Sequence, residues 1–291
     1  MRLNLKLTVF FLFFSFMLFG YVYYPEPGGN SGNSSKPEAL ATAAGKASKI
    51  GSLPKEINES SGLETGNKPG TYLTHNDAGN AAELFRIDSK GKLLATLPVS
   101  GAENIDWEDI TKDNQGNIYI SDTGNNNNKR THLKIYKLRQ GNPAQVSIIA
   151  FEYADRKAGT ADKSNYEFDC EALFWHRYKL YLVTKDRGAG ITAKLYELPD
   201  QPGTHEARYI SRYDVNAPVT AADISPDGKT LLLLSKGALH LFPANNSPDF
   251  FKSGMKTYDL GKVGQTEGAV FTDNKTVMIT NENGDLYQYK L

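Results

Sequence analysis

One segment recurs five times along the chain: two apolar runs around a short turn, bracketed by polar or ionisable residues. In its clearest copy, CEALFWHRYKLYLVTKD from Cys170 to Asp186, Glu171 precedes Thr184–Lys185–Asp186 by thirteen residues. Glu108 precedes Ser121–Asp122 by the same thirteen, as do Ser61 and Thr74, Ala222 and Ser235, and Glu267 and Thr280. The intervening DNQGN, SPDGK, TDNK and TGNKPG are rich in the Asn, Asp, Gly and Pro that close tight antiparallel turns. Each copy therefore reads as a β-hairpin.

A third strand follows each hairpin: ELFRID, LKIYKL, KLYELP, ALHLF and LYQYKL. A fourth follows the first four: LLATLPV, VSIIAFEY, ARYISRYDV and KTYDLG. Repeat starts fall 47, 63, 51 and 45 residues apart, and units of that length with four short strands are the mark of a β-propeller. The predicted fold is all-β: a single β-propeller of five recognisable four-stranded blades. The last blade ends after three strands, so SKIGSLP near Ser48 is expected to supply its outer strand and close the ring. A degenerate sixth blade near residues 48–60 is compatible with the same pattern.

The chain of 291 residues has zero formal net charge and no basic stripe, which removes any electrostatic reason to expect nucleic acid. Cys170 is the single cysteine, so there is no intrachain disulfide, no Cys-based metal site and no lipoprotein anchor. Arg2 and Lys6 precede an apolar run from Leu7 to Tyr24 that lacks an Ala-x-Ala-like cleavage site and ends in aromatic residues suited to a membrane interface. Residues 1–24 read as an uncleaved transmembrane signal-anchor with the rest of the chain on the periplasmic or extracellular side; cleavage would leave it secreted. Residues 25–47, rich in Pro, Gly, Asn, Ser and Ala, read as a flexible linker, and residues 48–291 as the propeller domain, expected to be monomeric and membrane-bound only through its N-terminal helix.

In a blade, the start of the first strand and the end of the second meet at one mouth of the channel. Glu108, Glu171 and Glu267 are expected there around one axis, with Ser61 and Ala222 at the two non-acidic positions. Asp122, Lys185 and Asp186 close the hairpins beside them, and THNDAGN places His75, Asn76 and Asp77 at the same mouth, either as ligand contacts or as a plain turn. Converging carboxylates repel each other and call for a cation, a basic partner or raised pKa values. An oxygen-lined mouth suits Ca²⁺ or Mg²⁺, whereas zinc finds neither a Cys cluster nor paired His. The competing reading has each Glu bonded to backbone amides, or paired with Lys185 or Lys236. GAGITA from Gly188 matches G-x-G-x-x-A but is followed by a strand, and no G-x-S-x-G elbow exists.

With FDCEALFW, LYLVTKDR, LLLLSK and TEGAVF…VMITNENGDLYQY in order, the chain resembles the SdiA-regulated family of exported bacterial propeller proteins over residues 55–291. In that family blades begin with Glu-Gly or Glu-Ala steps and a central metal is plausible, but no reaction is established. THNDAG and the Asn-rich loop from Thr123 look nearer to the phytase-like esterase propellers. Two functions follow as expectations. One is a non-catalytic exported propeller that binds a small molecule or protein at the acidic mouth. The other is a metal-dependent hydrolase of a phosphoester, ester or lactone, with Asp122 or Asp186 as base.

Overall fold

A computed structural model of the protein describes residues 45–156 and 167–291; the expected anchor and nearly all of the expected linker lie outside these residues. After β1 (Ser48–Ser52), the first unit holds β2 (Ser60–Thr65), β3 (Thr71–Asn76), β4 (Glu83–Asp88) and β5 (Leu93–Pro98). The second holds β6 (Trp107–Lys112), β7 (Ile118–Asp122), β8 (Leu133–Leu138) and β9 (Val146–Tyr153). The third holds β10 (Asp169–His176), β11 (Lys179–Lys185), β12 (Thr192–Pro199) and β13 (Gly203–Asp214). The fourth holds β14 (Val219–Ile224), β15 (Thr230–Ser235), β16 (Ala238–Pro243) and β17 (Lys256–Asp259), and β18 (Thr266–Asp273), β19 (Thr276–Asn281) and β20 (Asp285–Lys290) complete the series. Among the described residues, the only helical segments are two short 3₁₀ turns.

Within every unit, consecutive strands pair antiparallel. The terminal unit takes its fourth strand from the front of the domain: β1 lies on β20, Ser48 facing Gln288, with Lys49 Nζ 2.5 Å from Asp285 Oδ1. The first strands of the five units neighbour one another in the cyclic order β2, β6, β10, β14, β18 and back to β2. The fold is all-β and propeller-like.

One pairing was not expected. β13 runs five residues past its partner β12, and those residues, Gly203 to Ala207, pair in parallel with Ile149 to Tyr153 of β9. An overhanging edge carries unpaired amides and carbonyls, and the neighbouring outer strand satisfies them. The second and third units thereby form one eight-stranded sheet.

The first and second strands are buried on both faces because each unit packs against two others. Leu73 and Leu84 meet Trp107 and Ile120; Tyr119 and Phe151 meet Leu173 and Leu182; Phe174 and Tyr181 meet Leu231 and Phe242. Leu232 and Leu239 pack on Phe271 and Ile279, and Leu63 and Phe85 on Val270 and Met278, so apolar side chains also join the last unit to the first.

All five inner hairpins break register once near the start of the first strand: between Ser61 and Leu63, Trp107 and Ile110, Cys170 and Ala172, Val219 and Ala221, and Thr266 and Gly268. Such a bulge inserts an unpaired residue and re-aims its side chain. Glu171 and Glu267 are themselves the inserted residues. In the fourth unit that residue is Thr220 rather than Ala222, and in the first it is Gly62 rather than Ser61, so the bulge corrects both equivalences drawn from the thirteen-residue spacing. Gly62 has φ of 71°, and a Cβ there would stand 3.0 Å from the backbone of Asp109 and Ile110.

Two buried carboxylates bind the inner strands to one another. Asp109 Oδ1 accepts from the Ile110 amide at 2.8 Å, and its Oδ2 accepts from Leu173 at 2.8 Å and Ala222 at 3.1 Å, which ties three units together. Asp223 accepts from the Ile224 and Phe271 amides, joining the fourth unit to the fifth.

Candidate functional site

At the N-terminal ends of the inner strands lies a cavity of about 430 Å³ with a predominantly polar lining. Six carboxylates face it, from Glu59, Asp77, Glu108, Glu171, Glu267 and Glu282, against two cations, Lys185 and Arg187. Five of the nine residues singled out from the sequence lie on this wall: Asp77, Glu108, Glu171, Lys185 and Glu267.

Glu171 is matched from within the protein. Lys185 Nζ is 3.1 Å from its Oε2 and Arg187 Nη2 is 2.5 Å from its Oε1, while Arg187 Nε bonds the adjacent Asp169. Burial, and then Asp169, push the Glu171 carboxyl up to about 8, with Lys185 and Arg187 pulling the other way. Glu267 accepts from Gln265 Nε2 at 2.9 Å, and burial pushes its carboxyl up to about 6.

Glu108 is different. Only 6% of it is exposed, and its carboxylate makes no hydrogen bond or ion pair among the described residues, while its carbonyl accepts from Ser61 Oγ at 2.6 Å. Its carboxylate lies in two clusters whose oxygens fall within 4.8 Å of one another: Asp77–Asp106–Glu108 and Glu108–Asp169–Glu171. Arg187 already occupies the second cluster; among the described residues no cation pairs with the first. Within the first, Asp77 Oδ1 accepts from the Ala78 amide at 2.6 Å. Burial and the surrounding carboxylates, Glu171 foremost, raise Glu108 well above the usual range, and burial pushes Asp106 up to about 6. Gly124 makes the first cluster possible, since a Cβ there would stand 2.1 Å from Glu108 Oε1 and 2.4 Å from Asp106 Oδ2.

The three carboxylates expected from the repeat to share a cation, Glu108, Glu171 and Glu267, differ in their surroundings. All three line one cavity, but Glu171 is held by Lys185 and Arg187, and Glu267 belongs to neither cluster. Asp106, just ahead of β6, and Asp169 and Arg187, flanking the hairpin of Glu171, complete the arrangement. All three fall outside the thirteen-residue frame, although Asp106 and Asp169 each stand two residues ahead of the repeat Glu, in DWE and DCE.

Four other expected contacts do not line the cavity. His75 is fully buried with its ring edge-on to Trp107 at 5.4 Å, and burial lowers it to about 4. Asn76 braces the preceding loop, accepting from the Glu59 amide at 3.3 Å and donating to the Glu56 carbonyl at 2.9 Å. Asp122 pairs with Arg130 at 2.8 Å and accepts from the Asp106 amide at 3.1 Å, so it positions Asp106 from behind. Asp186 caps its own loop by accepting from the amides of Gly188, Ala189, Ile191 and Thr192, which hold its carboxyl below the usual range. Neither Asp122 nor Asp186 is placed to act as a base in this cavity.

No protein-family model and no curated protein matches the sequence. Among solved structures, the PQQ-bound aldose sugar dehydrogenase of Streptomyces coelicolor is 10% identical with a TM-score of 0.49, over 84% of this chain and 96% of that one. A gluconolactonase of Xanthomonas campestris is 13% identical with a TM-score of 0.44, over 76% and 68% of the two chains. A virginiamycin B lyase of Staphylococcus aureus is 14% identical with a TM-score of 0.42, over 80% and 66%. Likeness at this level carries nothing about chemistry.

Proposed function

We propose that the chain is a single five-bladed propeller, exported and tethered by its N-terminal segment, that binds a ligand or protein partner at the acidic mouth through a hard divalent cation, Ca²⁺ or Mg²⁺. The cation sits among Asp77, Asp106 and Glu108. The observation that carries this reading is Glu108: a buried carboxylate without a partner among the described residues, facing two more carboxylates. Burying unpaired charge is costly, and a divalent ion offsets the cost directly. A donor set made only of carboxylate oxygens suits a hard cation. Such ions take about six to eight oxygens, so three carboxylates leave positions for the oxygens of a ligand or water. The resemblance to the SdiA-regulated propellers is in keeping with this reading.

Thermal unfolding with added Ca²⁺ or Mg²⁺ tests it. A ligand that binds only the native state raises Tm, and Glu108→Gln should abolish the rise while Glu267→Gln keeps it. A Tm indifferent to both ions and to EDTA refutes the cation.

One observation favours the alternative, a metal-dependent hydrolase of a phosphoester, ester or lactone. Glu267 lines the cavity outside the cation cluster with its carboxyl pushed up to about 6, within the range of a general base. Turnover of any such substrate that is lost with EDTA and with Glu267→Gln would replace the binding reading.

A further inference from the structure

A cation among Asp77, Asp106 and Glu108 leaves another part of the acidic mouth uncompensated. The last unit contributes Glu267, at the bulge of β18, and Glu282, just after β19. One side chain holds the two together: Gln265 Nε2 donates to Glu267 Oε1 at 2.9 Å and to Glu282 Oε1 at 2.5 Å. Both N–H groups of that amide are thereby spent on two like charges.

Glu267 is 9% exposed. Its Oε2 has no partner among the described residues and is not walled off by them, so it opens on the cavity. Glu282 stands exposed at the rim, where Lys185 and Lys236 act on it from beyond ion-pair distance. Lys185 is held by Glu171, and Arg187 by Glu171 and Asp169, so their charge is already matched. Like charges held side by side call for a cation of their own. Among the described residues, Glu267 and Glu282 belong to no set of carboxylate oxygens close enough to hold a metal ion. An ammonium, with three N–H donors spread around one nitrogen, suits two separate carboxylates instead. Every residue lining the cavity is polar, so the remainder of such a ligand has only polar groups to meet.

We infer that the ligand of this mouth is a small hydrophilic amine, its ammonium on Glu267 Oε2 and the Glu282 carboxylate and its hydroxyl oxygens on the open positions of the divalent cation; this rests on the cation proposed above. Neutral oxygens suit that cation because three carboxylates already surround it.

1-Amino-1-deoxysorbitol has this chemistry on a flexible chain. Sorbitol replaces its ammonium with a hydroxyl, and hexylamine keeps the ammonium without the hydroxyls. Titration calorimetry compares them on the full chain with Ca²⁺ and with EDTA, at about pH 8, where Glu267 is ionised and the amine is charged. The amino polyol should bind the Ca²⁺-loaded chain about tenfold or more tightly than sorbitol, as expected when charge-assisted hydrogen bonds are lost. It should also bind more tightly than hexylamine, and EDTA should remove that second advantage. Glu267→Gln, and the rim change Glu282→Gln, should each remove most of the preference for the amino polyol over sorbitol while keeping the Ca²⁺-induced rise in Tm. The ligand series is read on the unaltered chain, so it does not depend on a variant folding. A Ca²⁺-induced rise in Tm with no preference for the amino polyol over sorbitol, or with a preference that survives Glu267→Gln, would overturn the ligand class and leave the cation standing. Equal affinity for the amino polyol and hexylamine would do the same. No rise in Tm would overturn the cation and the ligand class with it.

Discussion

Replacing Asp109 with Ala should be among the most damaging single changes in the domain. Its carboxylate is 1% exposed and accepts three amides from three units, those of Ile110, Leu173 and Ala222. Alanine leaves all three donors buried without an acceptor, at about 1–3 kcal/mol each. Removing a buried carboxylate also relieves its own desolvation cost, which is large enough to raise its pKa well above the usual range. We therefore expect a net loss of about 3–5 kcal/mol rather than the full sum. Asn keeps one oxygen, which can face Leu173 and Ala222, but turns its amide group toward the Ile110 N–H. Asp109→Asn should cost about 1–2 kcal/mol. Urea unfolding measures both, provided the m-value is unchanged. A loss below about 1 kcal/mol for Asp109→Ala would show that these amides find other partners, and the carboxylate would then not bind the ring together.

Acid stability should depend on His240, whose ring is 3% exposed and bonded to Ser235 Oγ at 2.8 Å and Thr257 Oγ1 at 3.1 Å. Burial lowers its pKa from 6.5 to about 4, so as pH falls through that window the unfolded chain takes up the proton first and stability drops, by up to about 3 kcal/mol. The stability of wild type relative to His240→Gln should fall by that order between pH 7 and pH 4, and a pH-independent difference refutes it. Arg177 and Tyr178, at φ of 48° and 64°, form the two-residue turn between His176 and Lys179, a conformation that favours Asn-Gly. The double change Arg177→Asn, Tyr178→Gly should stabilise by about 1 kcal/mol after loss of the Tyr178–Trp175 ring contact; a lower Tm would count against it. Deleting residues 48–52 should lower Tm sharply by stripping β20 of its outer partner, and an unchanged Tm would mean that β1 does not close the ring.

The strand order and the closing strand were legible because their signals are local. Alternating apolar residues, Asn-Gly and Asp-Gly turns and a repeat cut short at Leu291 are written along the chain. The sheet shared by β9 and β13 was not, because it depends on how far one outer strand overhangs another. At the mouth, Glu108, Glu171 and Glu267 were found because each follows the repeat. Asp106, Asp169 and Arg187 were missed because each lies beside it, and only the folded mouth brings them onto Glu108 and Glu171. His75 and Asp122 follow the repeat as well, yet burial against Trp107 and pairing with Arg130 turn them into supports. A shared frame locates equivalent backbone positions; the bulge and the neighbouring loops decide which side chains face the cavity.

The central claim is a hard cation among Asp77, Asp106 and Glu108. Anomalous scattering from crystals of the domain grown with Ca²⁺ addresses it without reference to any ligand or activity. The account predicts one strong peak within coordination distance of all three carboxylates, at about 2.3–2.6 Å, and its loss in Glu108→Gln. No peak at saturating Ca²⁺, or a peak beside Glu267 and away from Glu108, would contradict it.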